Sequence, residues 1–203
     1  TGAWNILLRL AIGRFFKIVA ISKGLTDFYS EKGVKSEKII VAHDGVDLKQ
    51  FDVGVDKKSV REKLKLPGDK KIVLYAGHLY GWKGVDTLLQ ASKLLSVDTQ
   101  VVIIGGTKIE VSELSIKYPG VIFLGYLQYS ELAVNQKVAD VLVIPNSAKS
   151  VVSRLYTSPL KVFAHMASGV PIVASDLPSL REVLDNQSTC FVEADNPQAL
   201  VVG

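Results

Sequence analysis

Ser158 and Pro159 open the segment "SPLKVFAHMASGVPIVAS", and no Asp or Glu occurs from Val141 to Ser175, although Lys149, Arg154 and Lys161 do. Serine is a good helix N-cap, and proline suits the first helical position, where its missing N–H costs nothing. The pattern predicts a helix from Pro159 to about Ala167, closed by Gly169. The free amides of Leu160 and Lys161, at the positive end of that helix, form a place where an anion can sit. An ordinary capped helix would carry the same signature. Two other stretches place glycine where the chain turns: Ala76-Gly77 before "HLYGWKG", and Gly105-Gly106 before "TK". Glycine there either admits a ligand close to the backbone or simply makes a tight turn. Lys83 precedes Gly84 rather than Ser or Thr, so the first loop is not a P-loop. No G-x-G-x-x-G occurs either, which argues against a nicotinamide dinucleotide.

The elements that must hold these residues alternate from residue 71 onward. "KIVLYAG", "TQVVIIGG", "GVIFLG", "DVLVIP", "PIVAS" and "TCFVEA" are short β-rich apolar runs. "GVDTLLQASKLLS", "VSELSIKY", "YSELAVNQKVA" and the Pro159 helix lie between them. Continuous Val/Ile runs separated by helices indicate a parallel sheet with βαβ crossovers, buried on both faces. The expected fold is therefore a doubly wound α/β domain with a mostly parallel, Rossmann-like sheet of about six strands. Ligands in such sheets bind at the carboxyl ends of the strands, where the glycine turns and the Ser-Pro helix start belong. Upstream, "FFKIVAIS" and "KIIVAHDGV" read as two more strands around a helix, and "VGVDKKS" as a surface linker.

Composition narrows the class. Of 203 residues 48% are hydrophobic, enough to build a core. The net charge of +4 comes without a Lys/Arg block interleaved with aromatics, so nucleic acid is not an expected partner. Cys190 is the single cysteine and reads as a small core residue, which excludes disulfides and thiolate metal sites. The three histidines lack metal-ligand spacing, so no metal is expected. "WNILLRLAIGRFFKIVAI" carries Arg9, Arg14 and Lys17, too many charges for a spanning helix. Trp4, Leu7, Leu8 and Ala11 share one helical face, which fits a packed helix or a basic amphipathic foot on a membrane surface. The expected location is cytoplasmic, with the inner face of the membrane left open.

"GHLYGWKGVDTLLQA", "VIFLGYLQYSELAVNQKVADVLVIPNS" and "TSPLKVFAHMASGVPIVASDLPSLREVL", in this order and spacing, resemble the carboxy-terminal half of the GT-B retaining glycosyltransferases. "IVAISKGLTDFYSEKGV" followed by "KIIVAHDGVDLKQF" resembles the family's crossing between its two domains, with Asp44-Gly45-Val46-Asp47 in place of Asn-Gly-Val-Asp. The resemblance implies a crossing segment at 1–50 and a nucleotide-sugar-binding domain at 51–203, the amino-terminal acceptor domain being absent. "NPQALVVG" starts a helix and stops, so the chain is expected to be cut from a longer one.

What the resemblance implies for single residues is specific. Gly77 and Lys83 fall in the loop that meets the donor diphosphate, with His78 where the family usually has Arg. Gly125 and Tyr126 fall where the nucleobase packs. The Ser158, Pro159, Leu160 and Lys161 backbone falls where a donor phosphate sits. Tyr156 and Ala164 take the places of two glutamates, the first facing the donor sugar and the second the ribose hydroxyls. Losing such a charge-assisted hydrogen bond costs roughly 1.5–3 kcal/mol. His165 is next in sequence but about 100° around the helix, so it is not expected to substitute.

The implied function is donor binding within a glycosyltransferase that moves a hexose from a UDP- or GDP-sugar to an acceptor with retention, without a further cofactor. Lys83 would stabilise the leaving diphosphate. This piece alone is expected to turn over nothing useful. The competing readings are a degenerate GT-B domain used as an interaction scaffold, and a sugar-nucleotide epimerase or a phosphorylase of the same architecture.

Overall fold

The computed structural model describes Ile12 and residues 14–203. The helical face of Trp4, Leu7, Leu8 and Ala11 lies outside the described residues. The first described strand, β1 (Ile18–Ala20), pairs in parallel with β2 (Ile39–Val41), and helix α1 (Lys23–Glu31) connects them. Ser22 caps α1 by accepting the Leu25 amide, the role its position before "KGLTDFY" suits.

"VGVDKKS" is not only linker. Asp56 accepts the amides of Lys58 and Ser59 and starts helix α2 (Lys57–Lys63), which turns Lys58, Glu62 and Lys63 to solvent and buries Arg61. Six strands follow: β3 (Lys71–Ala76), β4 (Thr99–Ile104), β5 (Ile122–Gly125), β6 (Val141–Ile144), β7 (Ile172–Ser175) and β8 (Thr189–Val192). Between them lie α3 (Val85–Ala91), α4 (Lys108–Lys117), α5 (Leu132–Gln136), α6 (Leu160–Ser168) and α7 (Pro178–Arg181), and α8 (Pro197–Val202) closes the chain. Their order in the sheet is β5-β4-β3-β6-β7-β8, and each neighbouring pair is parallel.

That order reverses between β3 and β6, so consecutive crossovers cover opposite faces. β3 shows the consequence residue by residue. Tyr75 packs on one face with Leu88, Leu89, Val101 and Ile103. Ile72, Leu74 and Ala76 pack on the other with Leu66, Val102 and Leu142. Both faces are covered, so the strand reads as a continuous apolar run. Burying one such side chain stabilises the fold by about 1.5–3 kcal/mol.

At the amino ends of the strands, Asp140 ties β6 to its neighbours. Its carboxylate accepts from Arg61 at 2.8 Å, Lys57 at 2.7 Å and the Ile72 amide at 2.7 Å. Burial works against the charged form, but these three bonds win and hold the Asp140 pKa down to about 2. Cys190 corrects an expectation: it is exposed rather than part of the core, because β8 is the last strand of the sheet.

Candidate functional site

The carboxyl ends of β3 and β6 are stitched together by glycine. Gly84 has φ +71°, and a Cβ on it would lie 1.6 Å from the Pro145 carbonyl oxygen, so no other residue lets these loops meet. The Ser147 amide donates to the Trp82 carbonyl at 3.1 Å and fixes the same contact. Gly105 approaches Gly77 as closely: its Cβ would fall 2.0 Å from the Gly77 oxygen. These are close approaches of backbone to backbone, so the tight-turn reading accounts for Gly84 and Gly105. Gly77 differs. Its φ is +148°, and the nearest atom to a Cβ there is the Lys161 Nζ, at 3.1 Å.

Lys161 is the unusual residue of the site. Its stem is half-buried, but its amine is enclosed and has no hydrogen-bond partner among the described residues. Nζ stands 4.0 Å from the centre of the Tyr75 ring. A ring face steadies an ammonium by about 2 kcal/mol at most sites of this kind. Enclosing an unpaired ion costs several kcal/mol, so desolvation wins. Burial, and then the charge of Lys83, hold the Lys161 pKa well below its usual value. Lys83 is itself pushed down to about 8 by burial, with its Nζ 3.8 Å from the Trp82 ring centre. One turn further along α6, His165 is fully buried, and neither ring nitrogen has a partner among the described residues. Burial and Lys161 lower its pKa to about 3, so it is neutral at pH 7. Tyr75 donates its hydroxyl to the His78 carbonyl at 2.6 Å, and burial raises its pKa.

Helix α6 starts one residue later than the sequence suggests. Pro159, with ψ 117°, stands at the N-cap position, and no side chain caps the helix. Ser158 does not act as the cap. It is buried, and its hydroxyl accepts the Asp44 amide at 3.3 Å, so it joins the crossing loop to the helix start. Leu160 and Lys161 are the first two residues of α6, and their amides face no intrahelical acceptor. The stretch that is free of acid in sequence is not so in space. Asp195 accepts the Ala148 amide at 2.9 Å, and Asp44 adjoins Ser158.

Other expected site residues go elsewhere. Ala164 is 2% exposed and packs with Phe51 and Ala133, against Val46, Val53 and Ala167. It lines no open surface, being covered by apolar side chains of α5 and of the loop after β2, where the resemblance implies a position facing ribose hydroxyls. The Tyr156 ring packs edge-on to Phe28 of α1, 5.7 Å between centres, so it is committed to the crossing segment. The His78 ring is exposed and stacked on Tyr80 at 5.1 Å, beside the crevice. Tyr126 stands 75% exposed after Gly125, free to be covered by a flat group.

Two participants escaped the sequence reading. Asn146, directly after β6, is fully buried, and its amide nitrogen and oxygen both lack partners among the described residues. The Lys161 side chain was read only through its amide. The spacing of Lys161 and His165, four apart and so on one helical face, was the available signal. Cavities of about 430 Å³ and 460 Å³ open at the opposite, amino-terminal ends of β6, β7 and β8. We place the candidate site at the carboxyl ends despite them, because the enclosed amine without a partner is there, whereas the Asp140 carboxylate is paired with Lys57 and Arg61. Among the described residues, no three His, Cys, Asp or Glu side chains gather as a metal site requires.

Comparison with known proteins identifies the family and the fold. The family model described as "Glycosyl transferases group 1" matches residues 70–202. An uncharacterised glycosyltransferase of Methanocaldococcus jannaschii, MJ1607, is 26% identical over 202 residues, 92% of this chain and 49% of that protein. A D-inositol 3-phosphate glycosyltransferase of Xylanimonas cellulosilytica is 29% identical over 182 residues, 82% of this chain and 42% of the relative. The chain thus spans about half the length of the curated relatives it matches. Among solved structures, Anabaena HepE in complex with UDP and glucose superposes with a TM-score of 0.78 at 17% identity, over 98% of this chain and 56% of that one. Sucrose-phosphate synthase from Thermosynechococcus elongatus gives 0.79 at 22% identity, over 100% and 51%. At these identities the structural likeness speaks for the fold.

Proposed function

The chain belongs to the group 1 glycosyl transferases as a carboxy-terminal GT-B domain, and from that premise we propose that it binds a UDP- or GDP-sugar at the carboxyl ends of β3 and β6. The observation that carries this reading is the pair Lys83 and Lys161. Two basic side chains share one crevice with no ion-pair partner among the described residues, beside the amides that open α6. Such an arrangement leaves one amine without a proton until an anion enters, and a diphosphate supplies the opposite charge that lets both lysines be cationic. The bound UDP of HepE is consistent with that ligand class.

In this reading the Leu160 and Lys161 amides receive a phosphate, Lys83 neutralises the leaving diphosphate, and Gly77 admits it to the backbone. Asn146 donates to the ligand through its otherwise orphaned amide. Tyr126 and Gly125 flank the base, and His78 lies at the rim. Residues 1–50 are the crossing segment, and 51–203 the donor-binding unit. An acceptor-binding domain completes the enzyme, which transfers a hexose with retention and needs no further cofactor. No helix among the described residues is long and apolar enough to cross a membrane. We propose a cytoplasmic location, with peripheral association at the inner face of the membrane.

The second reading, a scaffold that has lost its donor, draws on Ala164 and Tyr156. Neither can accept a hydrogen bond as a carboxylate does, and both are committed to packing. Calorimetric titration with UDP, GDP, uridine and guanosine separates the two. Donor binding requires diphosphates to bind well above their nucleosides. A scaffold binds none of the four.

A further inference from the structure

The Lys161 amine is flanked by the Tyr75 ring, the Gly77 backbone and two basic side chains, Lys83 and His165. Tyr75 presents its ring from β3, and its hydroxyl is engaged with the His78 carbonyl. Lys83 approaches from the turn before α3, and His165 from the next turn of α6 itself. The His78 ring, on the loop above, is turned outward onto Tyr80. The amine has neither a hydrogen-bond nor an ion-pair partner among the described residues. It also lies directly under Gly77, where a Cβ would stand 3.1 Å from Nζ. A ligand that comes close to the Gly77 backbone therefore comes within reach of this amine.

We propose that Lys161 is a proton-linked clamp: its amine, parked on the Tyr75 ring beneath Gly77, takes up a proton from solvent and turns onto a phosphate oxygen when a nucleoside diphosphate enters. The inference rests on the reading of the crevice as a diphosphate site. The balance is simple. One proton moves from water or buffer to Nζ, and no covalent bond to the ligand forms or breaks. In the empty crevice burial and Lys83 favour the neutral amine. A phosphate dianion alongside reverses that preference, because an opposite charge nearby favours the protonated form. At pH 7 Lys83, with a pKa of about 8, is already mostly protonated, and His165, at about 3, stays neutral, so the uptake belongs to Lys161. Binding of nucleoside diphosphates should strengthen as pH falls from 8 toward 7 through Lys83 as well as Lys161, so proton uptake at pH 7, where Lys83 is already mostly protonated, is the readout that isolates Lys161.

The test is calorimetric titration of the 203-residue chain with UDP and GDP at pH 7 in PIPES and in Tris, whose ionisation enthalpies differ. The wild-type heats should differ between the buffers by an amount equal to uptake of about one proton per nucleotide. Lys161→Met should abolish that difference and weaken binding about tenfold, the scale of one charged hydrogen bond. Nucleotide binding with no buffer dependence in the wild type overturns the clamp and leaves the diphosphate site standing. So does unchanged proton uptake in Lys161→Met. Absence of any heat with both nucleotides overturns the diphosphate site and the clamp together. The wild-type comparison decides the matter without the variant, should the variant not fold.

Discussion

The amide of Asp44 donates to the hydroxyl of Ser158 at 3.3 Å, and so the loop after β2 is joined to the residue before the α6 start. It is one of several ties between the two-stranded unit around α1 and the six-stranded sheet's α6 side. Ser22 donates to the Leu155 carbonyl at 3.2 Å, the Lys23 amide donates to Glu182 at 2.7 Å, and Phe28 meets Tyr156. A displacement of the crossing segment would therefore pull on the turn at Val152–Tyr156 and on the helix start that follows it.

Gly24 makes this tie testable. A Cβ on Gly24 would lie 2.2 Å from the Leu155 carbonyl oxygen. Gly24→Ala should lift α1 off the turn and destabilise the chain by about 1–3 kcal/mol, despite alanine's better helix propensity. The check is the urea midpoint. A rise in stability would mean that α1 is not seated where we find it.

Lys83→Ala should weaken diphosphate binding by about 1–3 kcal/mol and leave nucleoside binding nearly unchanged. Calorimetry with UDP and uridine reads both. Equal losses would assign Lys83 to the base or to general packing.

Ala164→Glu should not rescue a ribose contact. The position is enclosed by Phe51 and Ala133, and a carboxylate there is buried without a partner. Overpacking alone costs roughly 1–3 kcal/mol, and the glutamate pKa should rise on burial. We expect a lower Tm that falls further as pH increases and the buried acid ionises. A normal Tm with tighter binding of UDP than of its dideoxy analogue would restore the ribose role.

Two groups besides Lys161, whose lowered pKa adds its own pH dependence, make acid stability testable. His165 has a folded pKa of about 3 against an ordinary value of 6.5, so the unfolded chain binds the proton more tightly. The stability that this group contributes is complete above pH 6.5 and is lost as pH falls toward 3, on the order of 4 kcal/mol in all. Asp140, held to about 2 from 3.8, adds a second loss below pH 4, smaller than the first because solvent screens its ion pairs. Urea unfolding from pH 7 to pH 3 should show the first slope flattened by His165→Phe and the second by Asp140→Asn. A flat profile in the wild type would contradict both burials.

The fold was largely legible in the sequence because a doubly wound sheet writes itself as apolar runs spaced by helices. Both faces of β3 are covered, so "KIVLYA" needs no alternation to be recognised. The helix start at "NPQALVVG" is equally readable, and the Asn196 side chain caps it by accepting the Ala199 amide. The site was only partly legible. Gly77, Lys83 and the α6 start follow from strand ends and helix starts, which are local. The burial of Lys161, the pairing of Ser158 with Asp44 and the closure over Ala164 are contacts across 84, 114 and 113 residues or so, and no local pattern encodes them. Cys190 was misjudged for the same reason, since nothing in "STCFVEA" marks β8 as an edge.

The central claim is that the strand-end crevice between β3 and β6 is a nucleoside-diphosphate site. Backbone amide shifts on adding UDP or GDP at millimolar concentration test it most directly. The account predicts that the largest shifts gather at Gly77, Lys83, Asn146, Leu160 and Lys161, with Tyr126 following for the preferred base. Shifts that instead gather around Asp140 and Pro171, at the amino-terminal cavity, or none at all, would contradict it.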